Sequence, residues 1–234
     1  MPNSVPHPDD MVASGHGRHH DPSHWADVGR SLVTSPGVHR PSTFSALLAS
    51  TLGDTGGRVV VDAGCGAGLV TLAALAAGAE HVVAQDTDPA SLADTAANVE
   101  SVLGVEARSR LTFWEADWRL LAPMHADVLA VNPPQRPAEV LADVDAEVLH
   151  LHDGGGRDGF DGLRLVLAHT SASTVRTTAT SVLDLPAALR GLLELGWDEP
   201  RVFGSAELEH DPAWRRLLPG LRARVDVLEF SRPA

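Results

Sequence analysis

The chain has 234 residues, 44% of them hydrophobic, and a formal net charge of −13, which fits one α/β domain with a short appendage and argues against a broad phosphate-binding surface, so nucleic acid is an unlikely partner. A single cysteine, Cys65, excludes an intrachain disulfide, and no run reaches the ~18 apolar residues of a membrane span. The N-terminus lacks the basic-then-apolar order of a signal peptide, so a cytoplasmic protein without membrane contact is expected.

Every residue among Lys and Arg is Arg; Lys, Ile and Tyr are absent, and Asn occurs only at positions 3, 98 and 132. This is the composition expected of a GC-rich bacterial genome. It makes Asn132 a residue type that the chain otherwise avoids.

Residues 1 to about 25 are rich in His, Pro, Asp, Ser and Gly without apolar periodicity, and a flexible arm is expected. His16, His19, His20 and His24 cluster there, but Pro22 speaks against a helix and no carboxylate or thiol spacing completes a metal site. A helical pattern follows from Thr43 to Leu52. From Arg58 strand and helix alternate: strand Arg58 to Ala63, helix Leu69 to Ala77, strand His81 to Gln85, and a helix from Pro89 to Leu103 that starts on the proline. Strands follow at Leu111 to Trp114 and Val128 to Val131. The pattern closes with helix Phe160 to His169, strand Val175 to Val182, helix Pro186 to Leu195, and an antiparallel pair over Arg201 to Leu208 and Arg224 to Phe230. Such alternation implies a parallel sheet with helices on both faces.

Val59-Val-Val-Asp-Ala-Gly-Cys-Gly-Ala-Gly-Leu69 reads as a buried strand, an acid, then Gly64, Gly66 and Gly68. Glycines there permit a tight turn and close backbone approach to a ligand. Leu69 stands where a nicotinamide fingerprint needs Gly or Ala, and no Gly-Lys-Ser/Thr follows, so neither that fingerprint nor a P-loop is present. Asp62, at the strand tip, suits a cationic amine. Asp86, with Thr87 beside it, ends the next strand, where such sheets place a carboxylate on ribose hydroxyls; Asp88 is placed to cap the following helix. Asp117, flanked by Trp118, is able to accept from an adenine amino group. The plainer alternatives are a bare Gly-rich turn and a simple loop acid.

Asn132-Pro133-Pro134-Gln135 follows the apolar run Val128 to Val131. It offers a side-chain carbonyl and rigid backbone carbonyls at a strand end, the position at which open α/β sheets bind ligands.

Together these motifs closely resemble the class I S-adenosylmethionine-dependent methyltransferases. Asn132-Pro133-Pro134 is similar to the motif of their amino-methylating branch. Two further stretches are similar to the HemK/PrmC protein glutamine methyltransferases. Thr34-Ser-Pro-Gly-Val-His-Arg-Pro41 resembles their T-P-G-V-F-x-P-R segment, and Gly155-Gly-Arg-Asp-Gly-Phe-Asp-Gly-Leu-Arg164 their G-G-x-D-G-L-D-x-x-R loop. The resemblance implies one Rossmann-like domain over residues 41–234, with a seven-stranded mostly parallel sheet and an antiparallel C-terminal strand, preceded by an arm and lead-in segment over 1–40. It implies S-adenosylmethionine as cofactor, S-adenosylhomocysteine as product and no metal. Asp62, Gly64, Gly66, Gly68, Asp86, Thr87, Asp117, Trp118 and Asn132 would hold the cofactor. Asn132, Pro133, Pro134 and Gln135 would serve catalysis, with Asn132 Oδ1 and the Pro133 carbonyl accepting the substrate's N–H bonds. The acceptor would be an amide or amine nitrogen of a protein or peptide, including peptide natural products and N-terminal amines.

Three departures matter. Gln135 stands where the family carries an aromatic ring, and Phe160 or Trp118 is the expected replacement wall. The polar residues before position 41 do not resemble the helical substrate domain of PrmC, which turns the expectation away from release factors. Gly154 occupies the usual place of an acid, with Asp153 one position earlier. For an amine substrate Asp153, Asp158 or a nearby His would take up a proton. The competing readings are an rRNA or DNA exocyclic-amine methyltransferase, a non-catalytic S-adenosylmethionine binder and, last, a nicotinamide oxidoreductase.

Overall fold

A computed structural model describes residues 20–137, 154–208 and 223–233. Seven strands form one sheet: β1 (Val59–Ala63), β2 (His81–Asp86), β3 (Leu111–Glu115), β4 (Val128–Val131), β5 (Thr174–Thr180), β6 (Arg201–Leu208) and β7 (Ala223–Ser231). Their order is β3-β2-β1-β4-β5-β7-β6. β1 to β5 pair in parallel, whereas β7 runs antiparallel between β5 and β6. The expected mostly parallel seven-stranded sheet is present, with β7 as its antiparallel member.

The central strands are covered on both faces, which is why they read as unbroken apolar runs. Successive side chains point to opposite faces, so Val60 enters one core and Val61 and Ala63 the other. The first core is closed by α1 (Pro22–Ser31), α2 (Thr43–Ser50), α3 (Leu69–Ala76) and α4 (Pro89–Leu103). The second is closed by α5 (Asp161–His169) and α6 (Leu185–Leu193).

Helix α1 corrects the expectation of an unstructured arm through residue 25. Asp21 caps it by accepting from the Ser23 N–H, and Pro22 takes the first turn, where its missing N–H costs nothing. Pro22 therefore starts the helix instead of breaking it. Trp25 is wholly buried in the first core. The ring of His20 lies over Gly53; His16 and His19 fall outside the described residues.

Register decides the placement of the site. Ala63 at the end of β1 lies level with Gln85 on β2 and Val131 on β4. The chain leaves β1 toward β2 on one side, while β4 lies on the other. The carboxyl ends of β1 and β4 thus flank the crevice where the strand order reverses, the usual ligand position in such sheets.

Candidate active site

The turn after β1 carries positive φ at Gly64 (81°), Gly66 (52°) and Gly68 (87°). A Cβ on Gly68 would come within 2.9 Å of Thr95, so this position requires glycine on steric as well as conformational grounds. The Gly64 and Cys65 N–H groups donate to the Gln85 carbonyl at 2.8 and 2.9 Å. The Gly66 N–H donates to Asp86 Oδ2 at 3.0 Å, while Asp86 Oδ1 accepts from the Asp88 N–H at 3.0 Å. Asp86 therefore brackets the glycine turn to the start of α4. Asp88 caps that helix, accepting from the Ala90 N–H at 2.9 Å.

Asp62 is buried, and its Oδ2 accepts from both the N–H and the hydroxyl of Thr71, at 2.8 and 2.6 Å. Burial pushes its carboxyl up to about 7, against the Thr71 hydrogen bonds and with the negative Asp86 adding to the rise. Its second oxygen has no protein donor among the described residues, an arrangement that favours an incoming cationic donor. Asp117 caps a short 3-10 turn by accepting from the Arg119 N–H at 2.8 Å, and its carboxylate also faces the Arg119 guanidinium. Trp118 stands over the glycine turn, its ring 3.3 Å from where a Cβ on Gly64 would lie.

At the end of β4, Asn132 Oδ1 accepts from the Thr178 hydroxyl at 2.7 Å, and its Nδ2 donates to Ser45 Oγ at 3.3 Å. Pro133 is buried, and its carbonyl accepts no hydrogen bond among the described residues. Gln135, expected to meet a substrate, is turned to β5 instead. Its Nε2 donates to the Thr178 carbonyl at 3.0 Å and to Thr178 Oγ1 at 2.8 Å, while Oε1 accepts from the Thr180 N–H at 3.0 Å. β4 pairs with β5 only as far as Thr177. Beyond that point the side chain of Gln135 supplies the pair of bonds that a parallel neighbour would make opposite Ala179.

The Gly-rich loop and the first turn of α5 buttress this turn. A Cβ on Gly155 would strike the Arg136 backbone at 2.4 Å, one on Gly159 the Gln135 carbonyl at 2.7 Å, and one on Gly162 would lie 3.1 Å from Pro133 and 3.2 Å from Trp118. The glycines let two backbones touch. Asp158, a candidate base from the sequence, is paired with Arg164: both its oxygens accept from the guanidinium, which pulls its carboxyl below the usual range. Phe160 does not wall the cavity either, because it is buried in the second core. Asp153 lies outside the described residues.

Residues 33–45 form a strap across the site. The amide of Asn98 accepts from the Val33 N–H at 2.9 Å and donates to the carbonyls of Val33 and Ala67 at 2.8 and 2.9 Å. Asp94 takes the N–H and hydroxyl of Ser35 at 2.6 and 2.7 Å. These two residues of α4 fasten the strap to the glycine turn. His39 on the strap lines the cavity, and burial lowers its pKa below the ordinary histidine value. Asn98, Asp94, Thr178 and Ser45 lie outside the motifs legible in the sequence, whereas His39 falls within the Thr34 to Pro41 segment. Only the scarcity of Asn marked position 98.

Strap, glycine turn and Asn-Pro-Pro turn enclose one cavity of about 1060 Å³, at the upper end of the range for small-molecule sites. Asp62, Gly64, Gly66, Asp86 and Thr87 line one part of its wall, Asp117 and Trp118 flank it, and Asn132, Pro133, Pro134 and Gln135 also contribute. Gly68 supports the turn from behind. A cationic amine, ribose hydroxyls and an exocyclic amine are all hydrogen-bond donors. The open oxygen of Asp62 and the carboxylates of Asp86 and Asp117 supply matching acceptors, so the wall fits S-adenosylmethionine.

Sheet order and strand-end acids together define a class I S-adenosylmethionine-dependent methyltransferase fold. Residues 37–157, just over half of the chain, match the ribosomal protein L11 methyltransferase (PrmA) family, and the chain belongs to it. The release factor glutamine methyltransferase of Cereibacter sphaeroides is 33% identical over 144 residues, 58% of this chain and 50% of that one. MJ0928 of Methanocaldococcus jannaschii, provisionally named a protein N5-glutamine methyltransferase, is 30% identical over 133 residues, 56% of this chain and 64% of that one. The chain thus spans half to two thirds of these curated relatives. Among solved structures, PH1948 of Pyrococcus horikoshii, provisionally described as an RNA methyltransferase, superposes with a TM-score of 0.60 at 17% identity, covering 91% of this chain and 98% of that one. That likeness concerns the fold.

Proposed function

We propose that this protein transfers a methyl group from S-adenosylmethionine to an amide or amine nitrogen carried by a protein or peptide. The observation that supports this best is the juxtaposition of two strand ends. Ala63, before the glycine turn, pairs directly with Val131, before Asn132 and Pro133, and both turns line one cavity. A cofactor held by the first turn would lie next to the acceptors of the second. The relatives are named for release factor glutamine and for protein N5-glutamine, in keeping with this reading. The charge of −13 and the absence of a ring at position 135 disfavour a nucleic-acid base.

When bound, S-adenosylmethionine supplies an electrophilic methyl on a positively charged sulfur. Asn132 Oδ1 retains a lone pair beyond its bond to Thr178, and the buried Pro133 carbonyl has no donor among the described residues. Both accept N–H bonds of the substrate and aim its nitrogen lone pair. They also stabilise the positive charge that grows on nitrogen in the transition state. The prolines fix these acceptors, so alignment contributes most of the acceleration. For an amine acceptor, His39 is the candidate proton acceptor, since it lines the same cavity. Peptide natural products and N-terminal amines belong within this substrate class.

Intact-mass screening of peptides and ribosomal proteins with S-adenosylmethionine tests the reading. Mass increments of one methyl, located to nitrogen by fragmentation, are expected. Methylation confined to RNA, or to oxygen or carbon, would overturn it.

A further inference from the structure

The orientation of the Asn132 amide is dictated from β5. The Thr180 N–H is a fixed donor and the Thr178 carbonyl a fixed acceptor. The amide of Gln135 meets both in only one orientation, with Oε1 on Thr180 and Nε2 on Thr178. The second N–H on Nε2 then points at Thr178 Oγ1, 2.8 Å away. With one lone pair accepting there, the Thr178 hydroxyl turns its own proton to Asn132, 2.7 Å away. It finds an acceptor only if Asn132 presents Oδ1, and Asn132 Nδ2 faces Ser45 Oγ at 3.3 Å accordingly. Every step runs in one direction, from the backbone of β5 through Gln135 and Thr178 to Asn132. Thr178 is 1% exposed, so water does not compete for its hydroxyl.

We propose that Thr178 is a positioning residue whose hydroxyl, directed by the Gln135 amide, holds Asn132 with Oδ1 as the acceptor for a substrate N–H. The proposal rests on the reading of Asn132 as that acceptor. Reversed, the amide would offer an N–H to a substrate N–H, which is repulsive. Position 135 therefore selects for a two-ended amide that acts through Thr178. A ring at this position would stack on a substrate but could not direct the hydroxyl.

The composition makes a direct test practical. Asn occurs only at positions 3, 98 and 132, so protein labelled with ¹⁵N-asparagine yields three side-chain amide pairs by NMR. The pair lost in Asn132→Ala identifies the residue. Thr178→Val, nearly isosteric, is expected to shift the Asn132 pair while leaving the Asn98 pair and S-adenosylmethionine affinity in place. Thr178→Ser is expected to restore the wild-type position. Gln135→Met, at a less buried site, leaves the hydroxyl undirected and should reproduce the Thr178→Val shift even if that variant folds poorly. With a methyl acceptor in hand, Thr178→Val should lower kcat at least tenfold with KM for the cofactor within twofold of wild type, and Thr178→Ser should keep kcat. An Asn132 pair that stays in place in both Thr178→Val and Gln135→Met, or an unchanged kcat in Thr178→Val, would overturn the proposal. The NMR readout needs no turnover, so failure to find any methyl acceptor would count against the proposed activity and leave the relay to be decided on its own.

Discussion

Among the described residues, both hydrogen bonds of the buried Asp62 carboxylate come from Thr71, through its N–H at 2.8 Å and its hydroxyl at 2.6 Å. One oxygen is thus fixed at the start of α3, and the other is left for the cavity. The consequence is a pH dependence with a definite sign. The folded-state value of about 7 lies above the ~3.9 of an unperturbed aspartate. Between these values the folded protein holds a proton that the unfolded chain has released. The stability that Asp62 contributes is therefore complete below about pH 4 and is lost as pH rises through about 7. A bound ammonium favours the ionised form, so S-adenosylmethionine affinity should rise with pH, by about tenfold per unit below 7, and level off above it. Calorimetry in buffers of differing ionisation enthalpy should show proton release on binding below pH 7. Asp62→Asn should abolish both the release and the slope; a slope retained in that variant would assign the titration elsewhere.

Asn132→Ala removes a fixed acceptor without touching the glycine turn. Loss of one preorganised hydrogen-bonding group of this kind typically costs 10²–10³ in kcat, and a decrease of about that size is expected. Cofactor affinity by calorimetry should change less than about threefold. Comparable losses in both would mean that Asn132 chiefly holds the cofactor.

The elements that carry this site differ in how openly the sequence announces them. β1 and β4 are legible because a strand buried on both faces must be apolar throughout, as Val59 to Val61 and Val128 to Val131 are. The glycines of the β1 turn are legible because no other residue suits their conformation. Helix α1 is not, since its apolar contribution rests on Trp25 and Val28 amid His, Pro and Asp, and Pro22 starts a helix or stops one depending on whether a cap precedes it. Gln135 illustrates a deeper limit. Its partners Thr178 and Thr180 lie more than forty positions away, on a strand longer than its neighbour, and only the register of β4 against β5 reveals that the overhang needs an amide.

Gly162 separates stability from positioning. It sits in the first turn of α5 with ordinary φ, so alanine there gains helix propensity of roughly 0.5–1 kcal/mol. The added methyl would lie 3.1 Å from Pro133 and 3.2 Å from Trp118, tight enough to displace the Asn-Pro-Pro turn by a few tenths of an ångström. Gly162→Ala should leave the thermal midpoint nearly unchanged and lower kcat several-fold, because alignment is sensitive to small displacements. Equal kcat would show that Pro133 does not depend on this contact.

Asn98 joins three segments through one amide: helix α4, the strap at Val33 and the glycine turn at Ala67. Asn98 and Ala67 are each 2% exposed whereas Val33 is 63% exposed, so after a substitution water reaches the Val33 groups but not the Ala67 carbonyl. Asn98→Ala would strand the buried Ala67 carbonyl, at a cost of about 1–3 kcal/mol, and would release the part-buried Val33 N–H and carbonyl to solvent. With the smaller net loss of the two Val33 bonds added, a destabilisation of about 2–4 kcal/mol is expected by chemical denaturation. Because Ala67 belongs to the glycine turn, S-adenosylmethionine affinity should fall as well, by an estimated factor of about ten. Asn98→Asp keeps the acceptor for Val33 but sets a buried carboxylate against two carbonyls, and should be at least as destabilising as alanine. If Asn98→Ala destabilised the fold while cofactor affinity held, the strap and the glycine turn would be energetically separate, and the amide would serve α4 and Val33 alone.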